Sequence, residues 1–148
     1  MLNRLKSWYR DWLQFALTCV DLTTRRPTLP SYPSQASNAG FHPSKTKIQD
    51  DALAEWLRGQ ISGDLEEVPG IGPATRQKLE KAGVINTHQL IGKFLSLKTE
   101  NVQDHMDAFY AWLADTGVSA HRNNVTLALA EKCDIFIPGI YDASLYAE

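Results

Sequence analysis

Residues 68–83 read VPGIGPATRQKLEKAG. Pro69, Gly70 and Gly72 fall within five residues, and three cations, Arg76, Lys78 and Lys81, follow within one helical span. Pro73 suits the first position of a helix, where the missing N–H costs nothing, and Gly83 suits its end, so the spacing predicts a helix over 73–82. Glycine at 70 and 72 permits positive φ and leaves no Cβ to hold an incoming group away. The free N–H groups of Gly72 and Ala74 would then point outward at the positive end of the helix dipole, which makes an anion seat. Ile71, between the two glycines, is expected to plug the core and anchor the turn. Thr75, Arg76 and Lys78 follow, where a hydroxyl and cations can reach neighbouring phosphates.

Outward from this hairpin the periodicity is helical, with no alternating strand segment. Ile48–Gly59 brings Leu53, Trp56 and Leu57 to one face, and Asp64–Val68 is a further short helical stretch. Asn86 with Gln89 resembles a capping box ahead of Leu90, Ile91, Phe94 and Leu95. A longer helix is predicted over Glu100–Thr116, burying Val102, Met106, Phe109, Trp112 and Leu113 and stopping at Gly117. Ser119 can cap the last helix, which carries Val125, Leu129 and Ile135 as far as Pro138. The expected fold class is all-α, a compact bundle of about six short helices over residues 48–148 containing one helix-hairpin-helix.

Two segments precede it. Leu2, Leu5, Trp8, Trp12 and Phe15 recur at helical spacing in residues 1–22, an amphipathic helix of about five turns. Docking on this or another protein, lying on a membrane surface, or acting as an organellar presequence all fit that stripe. Residues 23–47 hold four prolines and many Ser and Thr without periodicity, the composition of a flexible linker.

Charge is unevenly spread. Residues 1–49 carry seven Lys or Arg against two Asp, and the remainder eight against fifteen acidic side chains. Any nucleic-acid surface must therefore be local. Cys19 and Cys133 are far apart in sequence, which fits a reducing compartment better than a disulfide framework. Four scattered histidines lack zinc-ligand spacing, and no apolar run reaches the length of a spanning helix. Asp104, His105 and Asp107 are close in sequence, but on a helix His105 points about 100° away from the others. With no phosphate loop, nucleophile elbow or H-E-x-x-H either, the expectation is a non-enzymatic protein without cofactor or metal.

Leu65, Val68, Pro69, Gly70, Ile71, Gly72, Leu79 and Gly83 together resemble the helix-hairpin-helix of sequence-independent DNA-binding proteins. Extended through GIGPATRQKLEKAGV, LIGKFLSLK and FYAWLADTGVSAHRNN, the pattern is similar to the barrier-to-autointegration factor family, small chromatin proteins that bridge duplex DNA. The resemblance covers about residues 48–137. It implies a symmetric homodimer with one DNA site per subunit, and a groove between subunits that takes a helical protein partner. It further implies a DNA surface made of the hairpin backbone at Gly70, Gly72 and Ala74 together with Arg122 at the start of the last helix. By the same resemblance the protein belongs on chromatin in the nucleus, while an organellar address in the N-terminal helix stays open. The family's pattern does not extend to the first 47 residues, the acidic IQDDALAEW start or a longer segment between Leu97 and Trp112. The leading functional reading is thus sequence-independent binding and bridging of double-stranded DNA. A protein-interaction adaptor on the same fold is the alternative, its N-terminal helix docking on a partner or membrane, and a repair accessory domain comes third.

Overall fold

The structure is a computed structural model that describes residues 40–147. The amphipathic helix expected over 1–22, and residues 23–39 of the expected linker, lie outside the described residues. Among the described residues there are five α-helices and no strand: α1 (Asp50–Arg58), α2 (Pro73–Lys81), α3 (Thr87–Ser96), α4 (Val102–Asp115) and α5 (Arg122–Phe136). Short 3-10 turns at Pro43–Lys45, Leu65–Glu67 and Ala143–Tyr146 complete the path. The all-α bundle expected from periodicity is the fold.

Helix boundaries follow local chemistry. Asn86 Oδ1 accepts the Gln89 amide (2.8 Å), while Gln89 Oε1 reaches back one residue further than a capping box requires, to the Ile85 amide (2.8 Å). Asn101 caps α4 through the amides of Gln103 and Asp104. Helices α2 and α4 both end at a glycine in the left-handed region, Gly83 (φ 88°) and Gly117 (φ 85°). The next amides return to Leu79 and Leu113 carbonyls at 2.9 and 3.0 Å, the Schellman closure that satisfies otherwise orphaned acceptors.

Helix α5 is the centre of the domain. Nine of its fifteen residues are buried, including the unbroken run Asn124–Ala130. This corrects the stripe of Val125, Leu129 and Ile135: the helix is enclosed on several sides at once, and Ile135 is 56% exposed. Small residues such as Ala128 and Ala130 let α1, α3 and α4 approach it closely. The α1 contact is polar as well as apolar. Trp56 Nε1 donates to the Ala128 carbonyl (2.9 Å), and the buried Lys132 Nζ donates to carbonyls of Trp56, Leu57 and Gly59 at 2.8, 3.0 and 2.6 Å. A cation among the last carbonyls of a helix satisfies both the orphaned acceptors and the dipole, so Lys132 is a buried C-terminal cap supplied from another helix.

The domain does not start at residue 48. Residues 40–47, counted in the expected linker, form a strap across the start of α5. Phe41 is 4% exposed and its amide donates to Asp107 Oδ1 (2.8 Å). The amides of His42 and Lys47 donate to Asn123 Oδ1 (3.1 Å) and Asn124 Oδ1 (3.0 Å). Composition averaged over 25 residues concealed one buried aromatic and three anchored amides. At the other end, Asp134 Oδ1 accepts the amides of Gly139 and Tyr141 and turns the chain back after α5. Ile140 and Tyr141 are thereby buried.

Candidate nucleic-acid interface

The hairpin is a tight turn closed by the Ile71 amide on the Val68 carbonyl (3.0 Å), with Gly70 at φ 99°. Proline followed by a positive-φ glycine is the sequence such a turn requires. Leu65, Val68, Ile71 and Leu79 are all buried, so Ile71 does anchor the turn in the core. Glu67, upstream, is occupied inside the turn: its carboxylate accepts the amides of Ser62 and Gly63 and the Ser62 hydroxyl.

The two glycines differ in what surrounds them. A Cβ on Gly70 would lie 2.8 Å from Asn124 Cβ, 3.2 Å from Val125 Cγ2 and 3.3 Å from the His121 carbonyl. Its bareness serves close packing of the hairpin on the first turn of α5. A Cβ on Gly72 would meet nothing within 4 Å, and its backbone is extended at φ −108°, ψ −178°. Gly72 is the N-cap of α2 and no side chain caps that helix. Gly72 and Ala74 are exposed and Thr75 is half-buried, and the first intrahelical donor is Arg76, bonded to the Gly72 carbonyl at 2.9 Å. The open part of the hairpin is thus Gly72–Thr75, with amide groups facing outward at a helix N-terminus.

Arg76 is directed elsewhere. Its guanidinium contacts Glu80 (2.9 Å), Asp64 (3.3 Å) and Glu66 (3.5 Å), and hydrogen bonding and attraction from Glu80 hold its pKa above the usual value. Lys78, on the last turn of α2 and half-buried, is in none of the ion pairs among the described residues. The cations of α2 therefore do not form one positive cluster at the hairpin.

The cations that gather do so at the N-terminus of α5. Ser119 is not its cap; His121 occupies that position in the left-handed region (φ 58°, ψ 18°), and no side chain among the described residues satisfies the first amides. Asn123 and Asn124, in the first turn, spend their side-chain oxygens on the strap's amides. Arg122 lies 4.4 Å over the Tyr110 ring, a cation–π stack that orients its guanidinium. An open cleft of about 300 Å³ is lined there by Lys45, Lys47, Tyr110 and residues Ser119 to Asn124, Arg122 among them, and its lining among the described residues holds no carboxylate. Arg122 is the residue that the family resemblance implies at the start of this helix. Lys45 and Lys47 were missed because they sat in the presumed linker, although both were counted in the basic excess of residues 1–49.

Gly70 joins the two halves. Because it touches Asn124, Val125 and His121, the uncapped starts of α2 and α5 are neighbours, an arrangement suited to adjacent phosphates rather than to base edges. The residues that had suggested a metal site are separated: His105 is 1% exposed with Nε2 on the Phe94 carbonyl (2.7 Å), Asp107 holds Phe41, and Asp104 is exposed. Among the described residues no group of three or more His, Cys, Asp or Glu could hold a metal. Comparison with known proteins gives a match to the family model described as Barrier to autointegration factor over residues 47–136, more than half of the chain. No curated protein and no solved structure matches the chain.

Proposed function

Because the chain belongs to the barrier to autointegration factor family, a non-enzymatic DNA-binding family, we propose that it binds and bridges double-stranded DNA without reading sequence. One observation carries this reading: two uncapped helix starts lie side by side, and Lys45, Lys47 and Arg122 line an acid-free cleft at one of them. In a domain with an acidic excess, such a local arrangement is what backbone recognition needs. Amides of Gly72, Ala74 and Thr75 hold one phosphate, and the first turn of α5, with Arg122 and the strap's Lys45 and Lys47, holds a neighbour on the same duplex. Arg76 belongs to the hairpin's own scaffold under this reading.

Bridging requires two sites held rigidly, which supports a two-fold homodimer. Ile135, Phe136 and Ile137 are 56%, 65% and 42% exposed at the end of α5 and supply apolar surface for it. Under the same proposal the protein acts on chromatin.

The test is a titration of unrelated duplexes at several salt concentrations. Three cations on phosphates give a slope of log K against log salt of about −3, equal for all sequences. Gly72→Glu, which the open surroundings of Gly72 accept without refolding, should abolish binding by setting a carboxylate before the amides. Undiminished affinity in that folded variant defeats the hairpin's role. No affinity in the wild type leaves the adaptor reading.

A further inference from the structure

Residues 137–147 follow the last residue of the family match, and residues 40–46 precede its first. These two outlying segments meet. Phe41 stands edge-on to Tyr146 and Tyr141, with ring centroids 5.5 and 6.4 Å away, and His42 stands edge-on to Tyr146 at 5.8 Å. Tyr141 and Tyr146 stack on each other at 6.3 Å. The tail is fastened in turn to the helices. Asp134 accepts the amides of Gly139 and Tyr141, and Gln103 Nε2 of α4 donates to the Leu145 carbonyl at 3.0 Å.

We infer that this C-terminal tail is a positioning element for nucleic-acid binding: Tyr141 and Tyr146 clasp Phe41 and so hold the strap that carries Lys45 and Lys47 over the start of α5. The inference rests on the DNA-binding reading for its consequence, but its physical content is the coupling of tail to strap. Lys45 and Lys47 are exposed and in no ion pair among the described residues. What fixes them in the cleft is the strap backbone, tied at Asp107, Asn123 and Asn124, and the packing of Phe41. Each amide bond to a side chain adds little net, because water competes for the same groups in the unfolded chain. The aromatic cluster adds buried area and ring pairing worth more than any one of those bonds. Loss of the clasp frees the two lysines to spread over many conformations, and a phosphate that binds them must then gather them at an entropic cost. Affinity is thereby set by residues that touch no DNA.

Tyr146→Ala in the full chain tests this with two readouts. Amide exchange at Phe41, His42 and Lys47 should accelerate at least about tenfold, while the α4 and α5 core amides keep their protection. Duplex affinity should fall, with the salt slope dropping by at most about 1.8, the share of two lysines, and Tyr146→Ala should have no further effect in a Lys45→Ala/Lys47→Ala background. Tyr146→Phe, which keeps the ring, should behave as wild type in both. By linkage, duplex bound to the unmodified protein should raise protection of the Leu145 and Ala147 amides in the tail. Unchanged exchange at the three strap amides overturns the inference, as does an affinity loss additive with the lysine substitutions. Complete unfolding of Tyr146→Ala overturns it too, by making the tail ordinary core. A wild type that binds no duplex fails the DNA-binding reading instead, and the exchange at the strap amides still decides the coupling.

Discussion

At Gly70 a methyl group would sit 2.8 Å from Asn124 Cβ on a backbone with φ 99°, so both space and conformation oppose any side chain. Gly70→Ala is expected to cost about 1–3 kcal/mol in stability, read by thermal or urea denaturation, with hairpin and α5 losing registration together. Gly72, two residues on, has free space and an ordinary φ, so its substitutions should alter binding and spare the fold. Both glycines stood out in the sequence, but only coordinates distinguish the packed one from the open one, because the distinction depends on a helix fifty residues away. His105 gives a pH-dependent counterpart. Burial between α3 and α4 holds its imidazole below the usual pKa, despite its bond to the Phe94 carbonyl. The unfolded chain then binds more protons in that window, so this contribution to stability is complete above the unfolded value of about 6.5 and is lost as pH falls from there toward the folded pKa. Melting temperature should decline over that interval in the wild type, and His105→Gln should flatten the decline. An equal slope in the variant would assign the effect to other groups.

Helices α1 to α4 were legible because apolar spacing agrees with signals at their ends, Pro73 opening α2, Asn86 capping α3, and Gly59, Gly83 and Gly117 following α1, α2 and α4, a consistency that local sequence displays directly. The strap was not legible. Phe41 stands alone among Ser, Pro and Gly, and its burial is decided by Asp107, Tyr141 and Tyr146, which no window around residue 41 contains. Phe41→Ala should therefore destabilise the domain by about 3 kcal/mol, and a chain beginning at residue 48 should melt well below one that keeps residue 40 onward. Equal melting of the two would return 40–47 to the linker. Lys132 was equally hidden, since a lysine on a helix reads as solvent-facing until α1 is seen to end upon it. Lys132→Met leaves three carbonyls at the end of α1 without a donor, an expected loss of about 2–3 kcal/mol that denaturant titration measures.

For the domain as a whole, the acidic excess and the basic cleft coexist because several carboxylates are engaged away from the start of α5 or in backbone bonds: Asp64, Glu66 and Glu80 surround Arg76, Glu67 closes its own turn, and Asp107 holds the strap. Net charge thus says little about the site, and the direction of the field at the start of α5 says more. Under the proposed homodimer, Phe136→Glu, altering the most exposed large apolar side chain among the described residues, should lower the mass read by light scattering toward that of a monomer, and an unchanged mass would move the interface elsewhere. The central place of α5 also has a consequence in time. Synthesis runs from the N-terminus at about 5–20 residues per second, so α1 to α4 are made before the helix they enclose. Residues 122–147 take roughly one to five seconds more at that rate. During that interval Met106, Phe109 and Leu113 lack their packing partner, and the nascent chain is a client for whatever shields apolar segments at the exit tunnel.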